Sequence, residues 1–331
     1  VNAESLSEQI GVVVENLLAP LSTTHAFTVE IRQADQVLYS GVFGADTANN
    51  PVRTDTLFDL DSLTELFTLT AFLRLVDTGR LWLDTPVNVV LEEFDKEATF
   101  YQLLSHTAGM PDEIDLNAYS DYDARLAALL DLAPYKSRDR SPRYSPVDFI
   151  LIGFSLEVLL DLPLAQAIAV MVLQPLDLRA QFAPLSDHIS VVGSIDRDVR
   201  DLNARALDSI AGHAGLFGTA SDVSAVARLF LQGGTLGDAD LFSEVIASEA
   251  TRQHIAAMGL GWNSASSNPA DGFGYEAANG SFVRVDELRQ LVITLIADSG
   301  DDSYDATEKI LHPLQTALIS AVQHLVDSAD E

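Results

Sequence analysis

The side chains that do chemistry form a short roster, and one is missing here. With no cysteine in 331 residues, the chain has no disulfide framework, no thiolate metal site and no thiol nucleophile. Seven histidines are present: His25, His106, His188, His213, His254, His312 and His324. No two stand in the His-x-x-x-His spacing that puts two imidazoles on one helix face around zinc. Acidic stretches at residues 196–201 and 298–305 are rich in oxygen donors, but they lack the glycine and terminal glutamate that a calcium loop needs at fixed offsets. They read as solvated loops. Gly259-Leu260-Gly261-Trp262 lacks the third glycine and the following helix of a phosphate loop. No metal and no cofactor is indicated. What remains is hydroxyl and carboxylate chemistry.

The elements that must position such groups follow from hydrophobic period. Val13, Val14, Leu17 and Leu18 recur at helical spacing and predict an amphipathic helix over 10–21. The period then switches to two: Phe27, Val29 and Ile31 alternate with Thr28, Glu30 and Arg32. Residues 36–43 repeat the habit, which predicts a hairpin turning near Ala34-Asp35. A strong helix spans 62–78, with Leu66, Leu69, Leu73 and Val76 on one side and Gly79 as its stop. From 83 to 178 the pattern is mostly helical, with short helices at 101–104 and 123–132. Residues 149–160 are apolar nearly all round, hence a buried helix, and a further helical stretch at 164–173 closes at Pro175. Residues 187–210 read as irregular, 222–231 as a helix, 281–285 and 288–297 as strands, and 307–326 as a long helix.

Strands at both ends and helices in the middle imply an α/β fold of the α+β type. An antiparallel sheet is flanked by N- and C-terminal helices, with an inserted all-helical lobe. The expected layout is one domain over 1–331, in which 1–80 and 210–331 build the sheet lobe and 81–209 the inserted lobe.

Composition narrows the partners. Hydrophobic residues make up 47% and mean hydropathy is +0.15, enough apolar material for a large core rather than a disordered chain. Forty-nine acidic against nineteen basic residues give a net charge of −30, a field that repels nucleic acid and anionic lipid. Lysine occurs only at 96, 136 and 309, a skew that fits adaptation to high salt as well as ordinary acidic solubility. No apolar run reaches the roughly 18–20 residues of a membrane span. If a leader was removed ahead of Val1, the chain works outside the cytoplasm, extracellular or periplasmic; otherwise it is cytoplasmic.

Four blocks carry a family likeness. They are Leu57-Phe58-Asp59-Leu60-Asp61-Ser62-Leu63-Thr64-Glu65, Leu103-Leu104-Ser105-His106-Thr107-Ala108-Gly109, Tyr144-Ser145-Pro146 and Ala211-Gly212-His213-Ala214-Gly215-Leu216. In that order they resemble the serine β-lactamase and penicillin-binding-protein superfamily, and within it the class C β-lactamase and esterase branch. The resemblance implies a β-lactamase/transpeptidase-like fold with Ser62 in the place of the acyl nucleophile and Tyr144 in that of the proton-transfer tyrosine. His106 and His213 lie inside these blocks and read as structural.

The likeness lapses where the family's chemistry resides. Its Ser-x-x-Lys motif reads Ser62-Leu63-Thr64-Glu65, so a carboxylate stands where an ammonium would favour the developing alkoxide. Its Tyr-x-Asn motif reads Tyr144-Ser145-Pro146, and proline has no side-chain donor or acceptor. Ser145 instead suits the cap of the next helix, with Pro146 in its first position. The third motif, Lys or His then Thr or Ser then Gly, aligns with Tyr275-Glu276-Ala277; residues 263–303 contain neither Lys nor His.

The expectation is a catalytically inactive pseudoenzyme acting in binding or scaffolding. Ser145, Pro146, Tyr275, Glu276 and Ala277 would line a cleft for a small-molecule or peptide-like ligand. Glu65 and Glu276 are expected to face one cavity and so to disfavour anions. The alternative is an active serine hydrolase, an esterase, amidase or β-lactamase, with Ser62 as nucleophile and Glu65 or Tyr144 as base.

The charge yields one test that needs no structure. Screening of carboxylate repulsion is expected to raise the melting temperature markedly as KCl goes from low to molar concentration. A flat response in thermal scans would assign the acidity to solubility alone.

Overall fold

The computed structural model describes residues 3–330 apart from 47, 95, 135–140, 184, 187–188, 194–197, 256–257, 265–271 and 299–306. Residues 196–197 of the first acidic stretch and 299–305 of the second therefore lie outside the described residues.

The chain begins with helix α1 (Ala3–Leu18) and the hairpin β1 (Ala26–Gln33) and β2 (Gln36–Phe43). Ala34 makes the turn at φ +49°. A short strand β3 (Leu57–Asp59) leads through one turn of 3-10 helix, Asp61–Leu63, into α2 (Thr64–Asp77). Helices α3 (Phe100–Leu104), α4 (Tyr122–Asp131), α5 (Pro146–Leu160) and α6 (Leu164–Ile168) follow. Then come β4 (Gln181–Phe182), β5 (Val191–Val192), α7 (Leu202–Ala206), β6 (Leu216–Gly218), α8 (Ala220–Leu231), a small hairpin of β7 (Thr235–Leu236) and β8 (Ala239–Asp240), and α9 (Glu244–Thr251). Strands β9 (Asn263–Ser264), β10 (Phe273–Glu276), β11 (Phe282–Asp286) and β12 (Leu291–Asp298) precede the last helix, α10 (His312–Asp330).

The main sheet has the order β2-β1-β12-β11-β10-β9, antiparallel throughout. Period-two alternation assigns its faces. Phe27, Val29 and Ile31 of β1 join Ile293 and Leu295 of β12 against Ile10, Val14 and Leu18 of α1 and Leu318 and Val322 of α10. On the other face the Ser224 hydroxyl of α8 meets that of Thr294 at 2.9 Å, and Val283, Val285, Val292 and Ile296 enter the larger core. β12 is buried on both faces, which is why it reads as a near-continuous apolar run.

This is the mixed α/β architecture the sequence predicts, although the inserted lobe expected to be all-helical over 81–209 also contributes β4 and β5 to a second sheet. Two further strands, β9 and β10, extend the sheet; at two and four residues, one of them interrupted by Gly274, they are too short for period to register. Residues 187–210, read as irregular, contain β5 and α7. The helix predicted over 62–78 opens as 3-10 because Asp61 holds φ +48°. No helix among the described residues is by itself long and apolar enough to cross a membrane.

A second, four-stranded sheet, β4-β6-β3-β5, aims the start of α2. β3 pairs with β6 antiparallel and with β5 parallel, and Leu60 N–H donates to Leu216 O at 3.0 Å. The Thr68 hydroxyl of α2 donates to Gly212 O at 2.8 Å. α5 runs so close to this segment that a Cβ on Gly212 would lie 2.0 Å from Phe149 O, and one on Gly153 3.2 Å from Gly212 Cα. Backbone cannot step aside as a flexible side chain does. Gly212→Ala is therefore expected to cost about 1–3 kcal/mol or more of overpacking, read as a lower urea midpoint at unchanged slope.

Candidate active site

Ser62 lies in the turn between β3 and α2 and is 7% exposed. One helical turn on, Glu65 is completely buried. A buried carboxyl needs partners, and three elements supply them. The Tyr144 hydroxyl, just ahead of α5, donates to Glu65 Oε1 at 3.1 Å. The Tyr275 hydroxyl, from β10, donates to Oε2 at 2.8 Å. His106, after α3, places Nε2 3.7 Å from Oε2. Behind it, His106 Nδ1 lies 2.8 Å from Asp148 Oδ2 in the first turn of α5.

The electrostatics follow from these distances. Burial alone would depress the His106 pKa, but the Asp148 hydrogen bond and then Glu65 outweigh it and raise it to about 10. Asp148 is pushed up to about 6 by burial, against the pull of His106. Tyr144 and Tyr275 are both raised well above 10, first by burial and then by the Glu65 charge. Each phenol thus keeps its proton and donates. Tyr275 ties β10, through Glu65, to the helix that follows Ser62.

The other predicted cleft residues divide. Ser145 is buried and caps α5: its Oγ accepts from Val147 N–H at 3.2 Å and donates to Pro111 O at 2.6 Å, with Pro146 in the first helical position. Both residues are committed to starting the helix. Ala277 is buried, its N–H donating to Ser281 O at 2.8 Å in the turn after β10. The expected Glu65–Glu276 pair does not form. Strand alternation that turns Tyr275 inward turns Glu276 outward, where it meets His312 Nε2 at 2.8 Å. Arg143, just ahead of Tyr144, contacts Asp112.

Beside the turn lies a cavity of about 480 Å³, lined among others by Asp59, Asp61, Arg200, Asp201, Asn279 and Asp298. Arg200 is paired with Asp298 at 2.6 Å, and Asp201 Oδ1 lies 3.1 Å from His213 Nε2. Burial, then the neighbouring Asp61, raises Asp59 to about 7; burial, then Asp201, raises Asp61 to about 6. Among the described residues no group of three or more His, Asp or Glu is placed to hold a metal ion.

Sequence reasoning missed the His106–Asp148 pair and the carboxyls of this turn. Asp148 left a trace: it is an acid in the first turn of an otherwise apolar helix, where ionisable residues are rarely buried unpaired. Asp59 and Asp61 left none, because nothing local distinguishes them from the many surface acids.

A family model described as Beta-lactamase matches residues 14–316. The “Putative D-alanyl-D-alanine carboxypeptidase” of Salmonella gallinarum is 23% identical, the match covering 77% of this chain and 72% of that protein. Among solved structures, a penicillin-binding protein homologue from Caulobacter crescentus superposes with a TM-score of 0.77 at 22% identity, over 97% of each chain. SurE does so at 0.78 and 23%, over 98% of this chain and 77% of that one. At these identities the solved structures speak to the fold.

The buried triad of groups yields two expectations. A histidine raised above its unfolded value of about 6.5 stabilises the fold fully below that pH, and the contribution is lost as pH rises toward 10. The stability gap between wild type and His106→Gln, from urea unfolding, should be widest near pH 6 and close toward pH 10; a gap constant with pH would contradict the charged imidazole. Asp148→Ala, which strands a buried cation, is expected to cost about 3–5 kcal/mol at neutral pH.

Proposed function

We propose that this chain, which belongs to the β-lactamase family, is a pseudoenzyme of the serine hydrolase fold that binds a ligand and does not transfer acyl groups. One observation carries the reading: the group one turn after Ser62 is a buried carboxyl whose two oxygens each accept a tyrosine hydrogen bond. A negative charge there opposes formation of the serine alkoxide and of the oxyanion that follows. Tyr144 and Tyr275 both hold their protons against it, so neither is poised as a base. Pro146 and Glu276 add nothing to the site, the first starting a helix and the second facing away.

The ligand class follows from the cavity lined by Asp59 and Asp61 of the turn before Ser62. Its size falls in the range of small-molecule sites, and its carboxylates outnumber its one lining arginine. Anionic molecules are disfavoured there, and neutral or cationic small molecules or peptide-like segments are accommodated. A second reading, serine hydrolysis through Ser62, has the Tyr275–Glu65 hydrogen bond in its favour, since a carboxylate that takes the Tyr275 proton would leave a base on the strand beside the nucleophile turn.

Intact-mass analysis after exposure to a fluorophosphonate or a penicillin separates the two. Wild type and Ser62→Ala are expected to stay equally unlabelled, and hydrolysis of a chromogenic cephalosporin or a short-chain ester to stay at background in both. An adduct or turnover that disappears in Ser62→Ala would establish the hydrolase instead.

A further inference from the structure

Two large apolar side chains that this protein leaves exposed, Trp82 at 66% and Val245 at 76%, come from distant parts of the chain and line one groove. The groove, about 500 Å³, lies between the end of α2, the turn that follows it, α3 and α9, and Leu83, Tyr101 and Ile246 add to its surface. α2 starts two residues after Ser62 and ends at Asp77. At 1.5 Å of rise per residue, the groove is therefore roughly 20 Å from the nucleophile turn. It is separate from the site described above.

Trp82 is not exposed because its segment is loose. Its N–H donates to Thr85 Oγ1 at 2.9 Å and its carbonyl accepts from Thr85 N–H at 3.0 Å. The turn is pinned to α3 by Tyr101 N–H, which donates to Leu83 O at 2.6 Å, and by Phe100 N–H, which donates to Thr85 O at 3.2 Å. The opposite wall is tied to α2, since Asp77 Oδ1 accepts from Ser243 N–H at 3.1 Å at the start of α9. An indole held out on so fixed a frame needs little ordering when a partner arrives. Single exposed apolar residues need no explanation, but apolar walls under a polar rim mark interaction surfaces.

Charge selects the occupant. The groove is lined by Asp77, Asp84 and Glu249 and, among the described residues, by no Lys, Arg or His. Glu249 is engaged by Arg252, whose Nε and Nη2 lie 2.7 Å from its two oxygens, so Asp77 and Asp84 carry the local field. A second copy would bring a net charge of −30 against an equal one. A guanidinium, by contrast, stacks on an indole face, pairs with a carboxylate and stays charged.

We propose that this groove docks a segment of another protein that presents arginine between aliphatic side chains, the guanidinium over Trp82 and beside the Asp77 and Asp84 carboxylates, the aliphatic groups against Val245 and Ile246.

The chain's two tryptophans make the surface readable, because Trp262 is completely buried and Trp82 is not. The probe is a blocked pentapeptide of alternating leucine and arginine, compared with the same peptide carrying neutral citrulline for arginine. Added to the full chain near physiological ionic strength, the arginine peptide is expected to change tryptophan emission saturably, and Trp82→Ala to abolish that change. By calorimetry, the arginine peptide on Trp82→Ala and the citrulline peptide on wild type are each expected to bind roughly tenfold more weakly. Asp77→Asn combined with Asp84→Asn, which keeps an acceptor for Ser243, is expected to weaken binding by a similar factor. Glu8→Gln combined with Glu15→Gln removes as much charge from exposed positions of α1, across the main sheet, and is expected to leave binding nearly unchanged. Equal weakening by the two double variants would reduce the attraction to net charge and overturn the proposal. So would emission that does not respond, or a citrulline peptide that binds as tightly as the arginine one. Acetylarginine amide binding as tightly as the peptide would assign the groove to small cations instead, and a dimer that Trp82→Ala dissociates in analytical ultracentrifugation would assign it to a second copy.

Discussion

A carboxyl with no exposed surface has to find its hydrogen bonds inside the protein, and much of this molecule is arranged so that Glu65 does. Its partners come from three remote parts of the chain. One boundary, the start of α5, serves two of them. Because Ser145 caps that helix, Tyr144 falls just outside it and reaches Glu65 directly, while Asp148 falls just inside it and reaches Glu65 through His106. The third partner depends on strand register: β10 pairs with β11 so that Tyr275 lies opposite Val283 and turns inward. Shifting that pairing by one residue would exchange Tyr275 for Glu276 and set two carboxyls against each other.

The same constraint governs what surrounds Ser62. Behind it stands the Glu65 network, held by donors that do not give up their protons. In front of it stands the turn at Asp59 and Asp61, where burial has raised two acids toward neutrality. A serine hydroxyl between two carboxylate environments loses its proton less readily than one beside an ammonium, and the proposed loss of acyl transfer rests on that difference in local potential. Replacing Glu65 by lysine alone would set an ammonium against a charged His106. The site is a coupled set, and its members are not exchangeable one at a time.

The fold was legible because it rests on long, strongly patterned segments. The β1–β2 hairpin alternates cleanly, α2 and α8 carry one-sided apolar stripes, and α5 is apolar all round. Short elements such as β9, β10 and β5 escaped because two to four residues carry no measurable period. Ser62, Glu65, Tyr144 and Tyr275 could be picked out by motif order, and the structure groups them. Glu276 could not be oriented from sequence, since a strand of four residues fixes neither phase nor face. The role of His106 depends on a positive φ angle and on a partner 42 residues away, neither of which has a local signature.

The central seam of the main sheet joins β1 at residues 26–33 to β12 at residues 291–298, with Ala26 opposite Asp298. Some 260 residues of chain separate two strands that must lie side by side. Closing so large a loop before its contacts are rewarded is slow. On the ribosome, the hairpin and α1 emerge long before the strand that completes their sheet. The apolar faces of Phe27, Val29 and Ile31 must therefore wait with only α1 and β2 to cover them. For this fold the hazard lies at β1, made long before its partner β12, and the abundant surface acids that keep such an intermediate apart from its neighbours matter most before the fold is finished.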